Sequence, residues 1–164
     1  MMDQHMLSVY LNNHLAGASG GLELFRRAAT QHAGTSRGVE LRRLADEIEG
    51  DREALRDIMG RLGVKENRAM SALGWAAEKA GRLKPNGYLV RRSPLSDIIE
   101  LEGLRVGVAA KMAGWQVLRA VAVHDSRLSK EALETLLERA EDQAERLYKL
   151  HLQAAQEQLD QADD

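Results

Sequence analysis

Three polar side chains stand on helix faces that are otherwise apolar. They are His14, Asp51 and His151, and each falls within an apolar stripe when every residue is advanced by about 100° around a helix. Burying an imidazole or a carboxylate is costly unless the group is hydrogen-bonded or coordinated. Each side chain therefore either reaches a bundle end, a water or a tyrosine such as Tyr10 or Tyr148, or belongs to a functional site.

Two kinds of site could use these side chains. Imidazole nitrogens and carboxylate oxygens are metal ligands, and iron or manganese would be bound by residues drawn from His14, Glu47, Asp51, Glu100 and His151. A small-molecule site would instead use His14, Asp51 and Asn13 beside the glycine-rich stretch at residues 16–21. We favour the site without a metal, and no residue is predicted to be catalytic.

The composition of the chain predicts an all-α protein. Of its 164 residues, two are proline, none is cysteine and 4% are aromatic, whereas Ala, Leu, Glu, Arg and Gln, which favour helices, dominate. The length suits a single domain over residues 1–164. The lack of cysteine excludes disulfides, a thiol nucleophile and Cys-ligated metal. A net charge of −2 gives no reason to expect nucleic acid as a partner.

Apolar periodicity predicts four long helices and a shorter one. The long helices span residues 4–33, 37–61, 94–123 and 130–157, and the shorter helix spans residues 66–83. The last helix is expected to fray over residues 158–164. Gly34 and Gly63 are expected to end the first two helices. Thr35 or Ser36 is expected to cap the start of the second helix, and Ser129 the start of the last one.

The connection at residues 64–93 is long enough to cross the whole bundle. Each long helix is roughly 40 Å long at a rise of about 1.5 Å per residue, and the short connections inside each pair make two antiparallel pairs. Two such pairs joined by a helical crossover resemble the ferritin-like superfamily of four-helix bundles. In that arrangement His14 and His151 lie towards opposite ends, so one site could not hold both.

The resemblance to this superfamily implies a di-iron centre only where the ligand motifs are present. The di-iron members use a Glu from each of two helices and a Glu-x-x-His from each of the other two. The motif needs a histidine three residues after the glutamate. Three residues after Glu47 on the second helix is Gly50, and three residues after Glu145 on the fifth helix is Tyr148. The expected protein is therefore a ferritin-like bundle without an intact di-iron centre. A divergent iron or manganese oxidoreductase or storage protein is the alternative.

The fourth predicted helix is apolar over a wide arc that includes Ile99, Val106 and Val117. It is expected to be the most buried helix and to touch either the crossover helix or a second copy of the chain. Self-association through this helix is therefore predicted.

Two further patterns concern the location of the protein. Lys111 and Arg119 interrupt the most apolar segment, residues 106–123, so no membrane span is expected. The N-terminal residues lack the basic start and apolar run of a signal peptide. We expect a cytoplasmic homodimer that acts as a non-enzymatic binding or structural protein, with an unidentified small-molecule ligand.

Overall fold

The computed structural model describes residues 3–67 and 95–160, and in these residues the chain forms four helices. They are α1 (Gln4–Gln31), α2 (Ser36–Arg61), α3 (Leu95–Ala122) and α4 (Lys130–Asp160). No strand is present in the described parts, which confirms the all-α prediction with four long helices. Residues 158–160, predicted to fray, are helical. The predicted helix at 66–83 lies almost wholly outside the described residues, as do residues 161–164.

Local sequence explains where these helices begin and end. Gly34 follows α1 with a positive φ of 84°, and the Thr35 side chain accepts the Gly38 N–H at 3.0 Å to cap α2. Gly63 follows α2 with a φ of 71°, and the Val64 N–H donates to the Met59 carbonyl at 2.9 Å in the pattern of a glycine C-cap. The predicted helix ends are therefore correct to within two residues.

Each helix packs against two neighbours. α1 contacts α2 and α3, whereas α4 contacts α3 and α2. The buried side chains form two apolar clusters, one towards each end of the bundle. One cluster contains Leu11 of α1, Leu62 of α2 and Leu118 of α3, and the other contains Phe25 of α1 and Leu101 of α3. α1 and α3 are therefore antiparallel. The last residues of α2 and the first residues of α3 lie at opposite ends of the bundle.

The outward side of α3 is exposed, although this helix was predicted to be the most buried one. Ile99 is 48% exposed, Val106 69% and Val117 37%. The physical reason is that a helix in a four-helix arrangement buries only the side that faces its two neighbours, so a wider apolar arc extends beyond the core.

None of the described helices combines the length and the apolar character that crossing a membrane requires.

Candidate functional site

A buried polar cluster lies at mid-height of the bundle, between the two apolar clusters. At its centre is Asp51 of α2, which is 1% exposed. Lys111 Nζ of α3 donates hydrogen bonds to Asp51 Oδ2 and to Gln143 Oε1. From α4, the Arg139 guanidinium forms an ion pair with Asp51 Oδ1, and Gln143 Nε2 donates to Asp51 Oδ2 over 3.2 Å. Three helices thus converge on one carboxylate.

Glu47 extends this polar cluster towards the surface. Its carboxylate accepts a hydrogen bond from Gln143 Nε2 at 3.0 Å and another from the Arg146 guanidinium at 2.9 Å. Arg146 also donates to Glu40 and Asp142. Burial alone would lower the pKa of Arg146, but its hydrogen bonds to these carboxylates raise the pKa above the ordinary value. Each charged group of the cluster therefore contacts at least one group of opposite charge.

A cavity of about 290 Å³, open to solvent on one side, lies beside the polar cluster between α1 and α3. Its walls include Gly17 and Gly21 of α1 and Gly103 and Gly107 of α3. A Cβ added at Gly17, Gly21 or Gly107 would meet no other atom within 4 Å. The missing side chains at these glycines therefore open the cavity. Lys111 also lines it, so the cavity and the polar cluster share this side chain.

The two ends of the cavity differ in chemistry. Because α1 and α3 are antiparallel, the first half of α1 lies beside the second half of α3, so their polar side chains fall at the same end. Asn13, His14 and Lys111 line one end. At the other end a Cβ added to Gly103 would lie 3.6 Å from Leu24 Cδ2, and Phe25 completes an apolar wall. The cavity is therefore amphipathic along its length.

His14 lies at the polar end, packed against Gly114 of α3. A Cβ at Gly114 would be 3.1 Å from His14 Nδ1, so glycine leaves the room that the ring occupies. Tyr10 meets the ring edge-on, with 4.6 Å between the ring centroids. Burial lowers the pKa of His14. Within the described residues the imidazole has no hydrogen-bond partner, so its N–H and its acceptor nitrogen are available to a ligand.

Two of the three residues predicted for a small-molecule site line the cavity, and these two are adjacent in the sequence. Asn13 and His14 lie there beside Gly17 and Gly21 of the glycine-rich stretch. Asp51 does not line it, because its carboxylate lies deeper in the core and reaches the cavity only through Lys111.

The residues predicted for a metal site are dispersed. The His151 ring contacts Arg105 at 2.8 Å and Glu102 at 3.4 Å, far along the bundle from His14. Glu100 pairs with Arg27. In residues 3–67 and 95–160 no three His, Asp or Glu side chains are grouped so that they could hold a metal ion. The separation follows from the helix directions, which place His14 and His151 at different heights.

Among the five residues predicted to bind a metal, only Glu47 and Asp51 lie close together. Both carboxylates accept a hydrogen bond from Gln143 Nε2. Three cations, Lys111, Arg139 and Arg146, already contact these two carboxylates. A metal ion there would have to displace them against charge repulsion.

Sequence reasoning missed the partners of Asp51. From the sequence, Lys111 was interpreted only as an interruption of the apolar segment at residues 106–123, and Gln143 was given no role. The signal for Gln143 was its place in the stripe of Ala140 and Leu147, where it is fully buried. A lysine on one apolar stripe indicates a buried carboxylate partner, and an amide on another stripe indicates a buried hydrogen-bond partner.

No protein-family model matches the chain, and no curated protein or solved structure matches it.

Proposed function

We propose that this protein is a non-enzymatic binding protein that holds a small, mainly apolar molecule in the cavity between α1 and α3. The supporting observation is the cavity itself, with glycine walls, an apolar end and a few polar groups at the other end. Small-molecule sites in proteins have this composition, because apolar walls supply affinity and a few polar groups fix the orientation.

A binding role fits the polar groups better than a catalytic one. The described lining residues include no hydroxyl and no carboxylate that His14 could activate. The Lys111 amine is engaged in hydrogen bonds to Asp51 and Gln143, so it is not free to act as a nucleophile.

The fold proposed for this function is a ferritin-like bundle whose connection at residues 64–93 crosses from one end to the other. The helix directions support it, because α2 ends near the Leu62 cluster and α3 begins near the Leu101 cluster. We also propose that the protein acts in the cytoplasm and self-associates through the outward side of α3.

The rival function is that of an iron- or manganese-dependent oxidoreductase or storage protein. Elemental analysis after loading with iron and manganese separates the two functions. We expect substoichiometric metal that is the same in the wild type and in His14→Ala. Stoichiometric metal that is lost in His14→Ala would favour the rival.

Equilibrium dialysis with radiolabelled decanoate and decan-1-ol tests the binding function. We expect at least one of these probes to bind with one-to-one stoichiometry. Gly17→Leu places a side chain in the cavity and should weaken that binding by about tenfold or more. Gly50→Leu is the matched control, since Gly50 is an exposed glycine of α2 that does not line the cavity, and it should bind as the wild type does. Equal binding by the wild type and Gly17→Leu, or no binding at all, would contradict the proposal.

A further inference from the structure

Lys111 gives the polar end of the cavity a positive charge. It is the one charged residue among the described residues that line the cavity. Its ammonium is largely removed from water, and this burial lowers the pKa of Lys111, although the nearby Asp51 opposes the shift. A desolvated cation gains more from a bound anion than an exposed one does, because the interaction is less screened.

The bonding of this ammonium leaves one donor unused. A lysine ammonium has three N–H donors, and two of them reach Asp51 Oδ2 and Gln143 Oε1. No acceptor for the third is present among the described residues. Because Lys111 is one of the residues that line the cavity, the third N–H is the donor of this side chain that remains for a ligand there.

Lys111 shares its carboxylate partner with a second cation. Asp51 is shared between Lys111 and Arg139, so one carboxylate faces two cations. The nearest other carboxylate, Glu47, is already engaged by Arg146 and by the Gln143 amide. Lys111 therefore has no carboxylate to itself, and an anion at the polar end of the cavity would pair with it.

We infer, on the premise that the cavity binds a ligand as proposed above, that this ligand is an amphipathic carboxylic acid whose carboxylate binds Lys111. Its apolar body lies along Gly107 and Gly21 towards Leu24. His14 and Asn13 offer further hydrogen-bond donors to the carboxylate. The two ends are about 16.5 Å apart, because His14 and Phe25 are separated by eleven helical steps of about 1.5 Å each, and this length suits an unbranched acyl chain.

The test compares decanoate with decan-1-ol by equilibrium dialysis at pH 7.5, because the two probes share a chain and differ in charge. We expect the wild type to bind decanoate at least about tenfold more tightly than decan-1-ol. Lys111→Met should remove this preference and retain binding of the alcohol. Arg105→Met is the control, because Arg105 is a cation of the same helix that does not line the cavity, and it should keep the preference.

Each result bears on a separate claim. Equal binding of the acid and the alcohol by the wild type would overturn the assignment of an acid while the binding function stands. A preference retained in Lys111→Met would overturn the role of Lys111. Binding of neither probe would contradict the proposed function and the inference with it. If Lys111→Met does not fold by circular dichroism, the double variant Asp51→Asn/Lys111→Met removes both charges of the pair and serves the same comparison.

Discussion

Asp51 is the residue on which the middle of the bundle depends. Its carboxylate contacts Lys111, Arg139 and Gln143 and is almost fully buried. A buried ion pair contributes little net stability compared with an apolar alternative, but removing one partner leaves an uncompensated charge in the core. Its position was predictable from the apolar stripe of Leu55, Ile58 and Leu62, whereas its partners lie on other helices and were not predictable.

The first prediction concerns the charge of Asp51. Asp51→Asn keeps the shape of the side chain and leaves Lys111 and Arg139 without a counter-charge. We expect the free energy of unfolding, measured by urea denaturation, to fall by about 2 to 3 kcal/mol, below the upper range for buried pairs because Arg139 is partly exposed. Glu53→Gln is the control, because it removes only ion pairs at the surface of the same helix. It should change the free energy of unfolding by less than about 0.5 kcal/mol. Equal losses of stability in the two variants would contradict the burial of Asp51 and its ion pairs with Lys111 and Arg139.

The second prediction concerns the titration of His14, whose pKa is lowered by burial. The unfolded chain binds a proton at this residue near pH 6.5, whereas the folded chain binds it only at a lower pH. The folded state therefore loses stability as the pH falls below about 6.5 and through the folded pKa. Urea denaturation at pH 7.5 and at pH 5.5 should show a larger loss for the wild type than for His14→Gln. The same loss in both proteins would mean that His14 titrates as it does in the unfolded chain.

At the scale of the elements, helix ends were predictable, whereas only the α1 side of the cavity, with His14 and the glycine-rich stretch, was indicated by the sequence. Gly34, Gly63 and Ser129 act through their own backbone or side chain on adjacent residues, so local sequence is enough to place the ends. The cavity exists because Gly17 and Gly107 lie on neighbouring antiparallel helices. Periodicity shows which face of a helix is apolar, but it does not show which helices are neighbours.

The third prediction concerns the close approach of α1 and α2 at Gly38. A Cβ at this position would lie 2.0 Å from the His32 carbonyl oxygen, so the backbone at the turn would have to move. We expect Gly38→Ala to lower the free energy of unfolding by about 1 to 3 kcal/mol. Gly60→Ala, at an exposed position of α2 with open space, should raise it by up to about 1 kcal/mol, because alanine favours helices. Chemical denaturation of both variants measures the difference, and the same sign for both would contradict the packing at Gly38.

For the whole molecule, the exposed side of α3 is the feature that the core does not explain. Ile99, Val106 and Val117 are spaced by seven and eleven residues, so they fall within about 20° of one line along the helix. A line of exposed large apolar side chains favours contact with another surface, and we propose that a second copy of the chain supplies it.

The fourth prediction is that this line holds a dimer together. Sedimentation of the wild type should show a species of twice the 18.2 kDa chain mass, and Val106→Glu should shift it to the monomer. Val39→Glu places the same charge at an exposed apolar position on α2 and should leave the dimer intact. A monomeric wild type at high concentration, or equal effects of the two substitutions, would refute self-association through α3.

The central claim is that the cavity between α1 and α3 takes a ligand, and the amides of its glycine walls report on this directly. In a titration of nitrogen-15-labelled protein with decanoate, followed by two-dimensional NMR, we predict that the largest shifts occur at the amides of Gly17, Gly21, Gly103 and Gly107. Unchanged glycine amides, or changes confined to the outward line of Ile99, Val106 and Val117, would contradict the claim.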